Sequence, residues 1–297
     1  MTTTISPGGA FTPAGTTLKL NRMGFGAMQL TGPMAWGPPS DHAAALAVLR
    51  EAVRCGVNHI DTSDYYGPHI ANRIIAEALH PYPAGLTIVT KVGARRGPDK
   101  SWPQAISRQE LIDAVNDNLR NLRRDVLDVV NLRLGGPFGP DDRSVEAPLS
   151  VLAELQQQGL IRHIGLSNVS RAQFEEGSRI AAIVCVQNHY NLAHRGDDAL
   201  IDDLAARRIA YVPFFPLGGF RPLNAPILDR VAQSLGATTR QVALAWLLQR
   251  APNILVIAGT SSVAHLQQNF AAGALQLPPE AIAQLDGIAA ASRQEQR

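Results

Sequence analysis

Cysteine is almost absent from this chain, and so is any surplus of charge. Among 297 residues only Cys55 and Cys185 occur. They lie in apolar segments far apart in sequence with no metal-type spacing around them, which favours buried thiols in a reducing compartment over a disulfide. The formal net charge is only +2. That gives no general attraction to nucleic acid or to an anionic membrane, so any basic side chain with a task acts locally. No stretch approaches the roughly 18 uninterrupted apolar residues of a membrane span. The first twenty residues, rich in Thr, Gly and Pro, lack the charged start and apolar run of a secretory signal. A cytoplasmic protein without a membrane or nucleic-acid partner is expected. His59, His69, His163, His189 and His194 do not cluster with carboxylates at ligand spacing, so no metal is expected either, and a metal-dependent or phosphate-ester hydrolase is disfavoured.

What the chain does contain is an alternation. Hydrophobic residues make up 45% and charged residues 18%, an ordinary globular balance. Short apolar runs recur at Met23–Met28, Asn58–Asp61, Leu86–Lys91, Val126–Arg133, Ile161–Ser167, Val184–Asn188, Ala210–Phe215 and Ile254–Ile257. Between them lie segments of helical period such as Ser107–Leu122, where Leu111, Ala114, Val115, Leu119 and Leu122 share one face and Ser107 with Glu110 forms a capping-box pattern. Strands that are apolar on both faces, each followed by a helix, require cover on both sides and point to a parallel sheet. Eight such units predict a (β/α)8 TIM barrel, one domain over residues 1–297. An open dinucleotide-binding sheet would carry a third glycine after Gly24-Phe25-Gly26, and none stands there. The residues before Met23 predict a hairpin whose Phe11, Leu18 and Leu20 cover the barrel floor, and Pro279 to Leu285 predicts a terminal helix. Insertions at Thr31–Ser40, Gly93–Trp102, Gly135–Asp142 and Leu217–Pro226 all follow strands, which places them on the catalytic face.

Four side chains fall at the ends of consecutive strands. Asp61, Lys91 and Arg133 each close an apolar run, and Tyr66 follows Asp61 by five residues. If those strands are neighbours, the four meet at the barrel mouth, where a lysine favours the phenolate of a tyrosine and tunes it as a proton donor. Taken singly, Asp61 also reads as a cap and Tyr66 as loop packing. A lysine ending an otherwise apolar strand is harder to dismiss, because buried it needs a partner.

The motifs Asp61-Thr62-x-x-x-Tyr66-Gly67, Thr90-Lys91-Val92, Gly165-Leu166-Ser167-Asn168, Gln187-Asn188-x-Tyr190-Asn191 and Pro216-Leu217-Gly218-Gly219 resemble the aldo-keto reductase family, from Met23 to the C-terminus. The resemblance implies an NADPH-dependent barrel enzyme whose catalytic aspartate, tyrosine and lysine are Asp61, Tyr66 and Lys91. Where the family usually carries a histidine, this chain has Arg133, which can orient a carbonyl and stabilise an oxyanion but cannot give up a proton. The resemblance also implies that Ser167, Asn168 and Gln187 hold the nicotinamide carboxamide while Phe214 stacks on its ring. It places Leu217 and Gly219 at the pyrophosphate, Gln268 and Asn269 at adenine, and Gly259, Thr260, Ser261 and His265 where basic residues often grip the 2′-phosphate. Hydroxyls and helix-start amides can serve there instead.

A finer likeness, in Gly26-Ala27-Met28-Gln29-Leu30, Lys91 to Gly97 and Asp128 to Arg133, is to the family's bacterial pyridoxal-reducing branch. This implies a small-molecule carbonyl substrate, pyridoxal. Its phenolate would pair with Arg133, Arg95 or Arg96, and its ring would stack on Trp36. For Arg95 and Arg96 a solvated loop pair is the favoured reading. The rival readings are a broad aldehyde or ketone reductase and a cofactor-holding regulatory module of the same fold.

Overall fold

The computed structural model describes residues 8–136, 139–219, 223 and 225–289. The apolar runs become β3 (Phe25–Gly26), β4 (His59–Asp61), β5 (Thr87–Val92), β6 (Leu127–Arg133), β7 (Ile161–Ser167), β8 (Ile183–Gln187) and β9 (Ala210–Tyr211), after an antiparallel hairpin of β1 (Ala10–Phe11) and β2 (Leu20–Asn21). β3 to β9 form one parallel sheet in chain order. The last run, Ile254 to Ile257, joins by isolated bridges: Tyr211 pairs with Ile254 and Met23 with Val256, both parallel. Gly24 N donates to Val256 O at 2.8 Å and Leu255 N to Tyr211 O at 2.9 Å. The ring therefore closes, and the fold is the expected (β/α)8 barrel.

Helices α1 (His42–Arg54), α2 (Ile70–Leu79), α3 (Arg108–Leu122), α4 (Glu146–Gln157), α5 (Arg171–Ser178), α6 (Asp198–Ala206), α7 (Pro226–Ser234), α8 (Thr239–Arg250), α9 (Val263–Ala271) and α10 (Pro279–Asp286) complete it. The capping box of Ser107 and Glu110 opens α3, and its Leu111, Val115 and Leu122 are fully buried. In α8, by contrast, Val242 to Leu248 are buried without interruption, because it packs against α7, α9 and Ala272–Ala274 at once. No helix among the described residues is long and apolar enough to cross a membrane.

Two expectations need correction. The strand expected over Met23–Met28 ends at Gly26, since Ala27–Leu30 turns into a 3-10 helix. The insertion from Leu217, of which 220–222 and 224 lie outside the described residues, leads into α7. That helix starts on a proline whose missing N–H costs nothing at the first helical position.

The barrel interior is layered by the two-residue period of its strands. At the floor, Leu20, Val89, Val129, Val184, Ala210 and Leu255 form an apolar cluster on which Phe11 and Leu18 rest, as the hairpin reading expected. Two residues beyond Val89 comes Lys91, and two and four beyond Val129 come Asn131 and Arg133. Lys91 pairs with Asn131 across β5 and β6. The amide of Asn131 needs Gly165 opposite, where a Cβ would lie 2.0 Å from Asn131 Oδ1. Apolar below and ionic above, the same strands carry floor and site.

Candidate active site

At the C-terminal end of the strands lies a cavity of about 920 Å³. Asp61, Tyr66, Lys91 and Arg133 all line it, joined by Met34, Trp102, Gly136 and Leu217 from the four insertions. Of the third insertion, residues 137–138 lie outside the described residues. Lys91 Nζ donates to Asp61 Oδ1 at 2.5 Å and to Thr62 O at 3.0 Å, while Gln187 Nε2 donates to Asp61 Oδ2 at 2.7 Å. Both charged residues are only 4% exposed. Either ion alone at such a depth would cost several kcal/mol, so each enforces the other.

The ammonium of Lys91 lies 5.3 Å from the Tyr66 ring centroid. The expected acidification of that phenol is nevertheless corrected. Burial pushes the Tyr66 hydroxyl far above its ordinary value, and the Asp61 carboxylate adds to the rise, with only Arg133 opposing. Lys91 is already neutralised by Asp61. In the resting site Tyr66 is therefore a fully protonated phenol, which is the form a proton donor needs.

Arg133 is loosely held: its guanidinium carbon sits 5.3 Å from the Phe214 ring centroid, and its Nη2 reaches Gly136 O only at 3.5 Å. Phe214 also stacks on His189, at 5.5 Å and 12°. Burial and the neighbouring His194 push His189 down to about 4, so it lines the cavity as a neutral ring. Gln187, Leu217, Gly219 and Gly259 line the cavity with Phe214. Ser167 Oγ, Gln187 Oε1 and Asn269 Oδ1 are buried without a hydrogen-bond partner among the described residues. Asn168 has its side-chain nitrogen committed to Leu134 O, Gly136 O and Gly139 O at 2.8–3.0 Å, and neither it nor Ser167 is in the cavity wall. Thr260 and Ser261 precede α9, and His265, Gln268 and Asn269 lie within it; none of the five is in the cavity wall itself.

Residues 22–290 match the sequence pattern of the Aldo/keto reductase family. The chain belongs to that family. The reductase is 65% identical over 274 residues to pyridoxine 4-dehydrogenase of Escherichia coli, spanning 92% of this chain and 96% of that one. It is 37% identical over 268 residues to an uncharacterised oxidoreductase of Schizosaccharomyces pombe, covering 90% and 86%. Among solved structures it resembles a thermostable aldo-keto reductase crystallised with the inhibitor epalrestat, with a TM-score of 0.79 at 29% identity over 94% and 99% of the two chains. An aldo/keto reductase of Klebsiella pneumoniae in complex with NADP and acetate gives 0.74 at 25% identity over 90% and 91%.

Three positions expected at the substrate do not reach the cavity wall of this reductase. Arg95 turns to Glu110 at 3.7 Å on an exposed surface, and Arg96 lies over the rings of Trp36 and Trp102 with its Nη atoms bonded to backbone carbonyls. In their place the structure supplies Tyr65, Trp102, Gln104, His189 and His194. Trp102 ends a flagged insertion and His189 follows Gln187 by two residues, so both carried a positional signal that composition alone does not rank.

Behind Tyr66 a buried polar network fixes its loop. Asp64 accepts from His69 Nδ1 at 2.5 Å and from Asn72 and Asn121 at 3.0 and 2.9 Å. Asp117 brings a third group, so that ligand atoms of Asp64, His69 and Asp117 lie within 4.8 Å; the expectation that His69 stands apart from carboxylates is corrected, because the fold brings Asp117 from α3 to the loop after β4. The Asp64 oxygens are, however, already taken by these donors. Asp64 raises the affinity of His69 for a proton. A folded-state value above the unfolded one means stability that is complete below the unfolded value of 6.5 and is lost as pH rises through the higher folded one. The urea midpoint should therefore fall across that window in the wild type and stay flatter in His69→Gln. Parallel pH curves for the two proteins would remove His69 from the linkage.

Proposed function

We propose that this reductase converts an aldehyde to a primary alcohol with NADPH, and that its reaction is pyridoxal to pyridoxine. One observation carries the reading: a buried, protonated phenol faces a large cavity directly beside a buried lysine–aspartate pair. The 65% identical relative named for the pyridoxine reaction supports the substrate, and the NADP complex of the Klebsiella relative supports the cofactor. A cytoplasmic location and a part in vitamin B6 salvage belong to the same reading.

The unpartnered buried atoms fit the cofactor. A carboxamide can donate to Gln187 Oε1 and accept from Ser167 Oγ, and an adenine amine can donate to Asn269 Oδ1. Phe214 offers a ring face for stacking. Thr260, Ser261 and His265 bring hydroxyls, an imidazole and the start of α9 to a 2′-phosphate. Bound NADPH supplies a hydride to the carbonyl carbon; the rest is done by side chains of this chain.

Tyr66 passes its phenolic proton to the carbonyl oxygen as negative charge develops there, completing one C–H and one O–H bond. Arg133 offsets the charge left on the phenolate, while Asp61 holds the Lys91 ammonium in place beside the ring. Arg133, without an ion pair among the described residues, pairs with the phenolate oxygen that pyridoxal carries beside its aldehyde. Mixing the protein with NADPH and pyridoxal should consume the dihydronicotinamide absorbance in step with pyridoxine formed. No turnover with pyridoxal alongside turnover of other aldehydes would leave a reductase of different substrate. With Arg133→Gln, KM should rise about tenfold for pyridoxal and far less for 4-nitrobenzaldehyde, the size of one charge-assisted hydrogen bond. Equal rises for the two would remove the pairing.

A further inference from the structure

The residue that sequence reading placed at the substrate, Arg96, performs a different task behind the cavity wall. Its Nη1 donates to Met34 O at 3.1 Å and Ala35 O at 3.0 Å, and its Nη2 to Lys100 O at 3.0 Å. The guanidinium carbon lies 3.8 Å from the Trp102 ring centroid and 5.2 Å from that of Trp36. One side chain thus ties the insertion after β3 to the insertion after β5. Lysine could not do this, having a point charge and no planar fork.

The backbone that Arg96 grips is strained. Met34 and Ala35 have φ of 60° and 53°, left-handed values that residues with a Cβ adopt only when their surroundings over-determine them. Those two residues are the ones whose carbonyls Arg96 takes. The same Ala35 O accepts from Gly67 N at 3.1 Å, and Gly37 N donates to Gly67 O at 2.8 Å, so the gripped segment is bonded to the residue that follows Tyr66. Met34 is 55% exposed, the one exposed large hydrophobic side chain among the described residues, and it lines the cavity. Trp102 stands edge-on to Tyr65 at 5.6 Å and to Tyr66 at 6.4 Å. An exposed methionine and a tryptophan therefore border the cavity: Trp102 rests on the tyrosine rings with Arg96 over its face, and Met34 is held by the grip of Arg96 on its backbone carbonyl.

We propose that Arg96 is a positioning residue that holds Met34 and Trp102 beside Tyr66 as an apolar wall, and that this wall selects flat aromatic aldehydes over small aliphatic ones. The inference rests on the aldehyde-reductase reading above and adds the device that sets its selectivity. A planar ring gains from contact with an indole face or edge and a polarisable thioether. A three-carbon aldehyde does not reach the wall and gains nothing.

The test compares kcat/KM for 4-nitrobenzaldehyde and propanal in the full-length protein. In Arg96→Met the ratio of aromatic to aliphatic should fall about tenfold, chiefly through KM for the aromatic aldehyde, the size of one lost ring contact. Arg96→Lys should not restore it, and the Kd for NADPH should stay within about twofold in both. A folded Arg96→Met in which both rates fall together and the ratio is unchanged would overturn the proposal. Met34→Ala, at an exposed side chain, should lower the same ratio in the same direction, and it decides the matter if Arg96→Met does not fold. Turnover of neither aldehyde by the wild type would sink the reductase reading and this inference together. Turnover of both with an unmoved ratio in the variants would sink the wall alone.

Discussion

Replacing Tyr66 by Phe is expected to lower kcat for aldehyde reduction about a thousandfold, within the range that a positioned general acid contributes. The substitution removes one hydroxyl and leaves the ring, so its contact with Trp102 and the Lys91 ammonium should survive. Cofactor affinity, followed by quenching of protein fluorescence on adding NADPH, should stay within about twofold. Burial holds the phenol protonated well beyond ordinary working pH, so the loss should be equally large across the neutral range. Retention of more than about a tenth of the wild-type rate would show that the proton comes from elsewhere.

The second large effect concerns stability as much as rate. Lys91→Met deletes a cation that is 4% exposed and leaves the Asp61 carboxylate buried with Gln187 as its remaining donor. Breaking such a pair costs about 3–5 kcal/mol. For a chain of 297 residues that corresponds to a fall in Tm of roughly 5–8 °C. Adding Asp61→Asn to Lys91→Met removes the stranded charge and should recover most of the lost Tm while activity stays low, since neither ion is then present at the phenol. Calorimetry of the three variants checks this. A double variant no more stable than Lys91→Met would show that the pair matters through packing alone.

Much of this architecture was legible because it follows from local periodicity. The alternation of apolar runs with helical segments gave the barrel, and the position of Asp61, Lys91 and Arg133 at run ends gave the mouth, since a strand's last inward residue must face the cavity. The capping box of α3 was readable from two letters. What could not be read were the effects of distant neighbours on a side chain's chemistry. Lys91 looked like a cation that would acidify Tyr66, but the Asp61 carboxylate and the Thr62 carbonyl engage its ammonium, and burial of the phenol works the other way. Arg96 looked like an available loop charge. The carbonyls that engage it come from Met34 and Ala35, more than sixty positions away. The Asp64 network draws on Asn72 and Asn121, polar residues inside helices whose sequence pattern gave no reason to place them inward. α7 was missed because its apolar positions follow an insertion and a proline that read as a turn.

The two thiols carry a last consequence. Cys185 is buried, with its hydrogen directed to Asn131 Oδ1 at 3.2 Å, and burial pushes it up to about 12. Cys55, half-buried beside Glu51, is raised as well. Aldehydes add to thiolates, not to thiols. Neither cysteine lines the cavity, so an aldehyde held there is kept apart from both thiols by the wall itself.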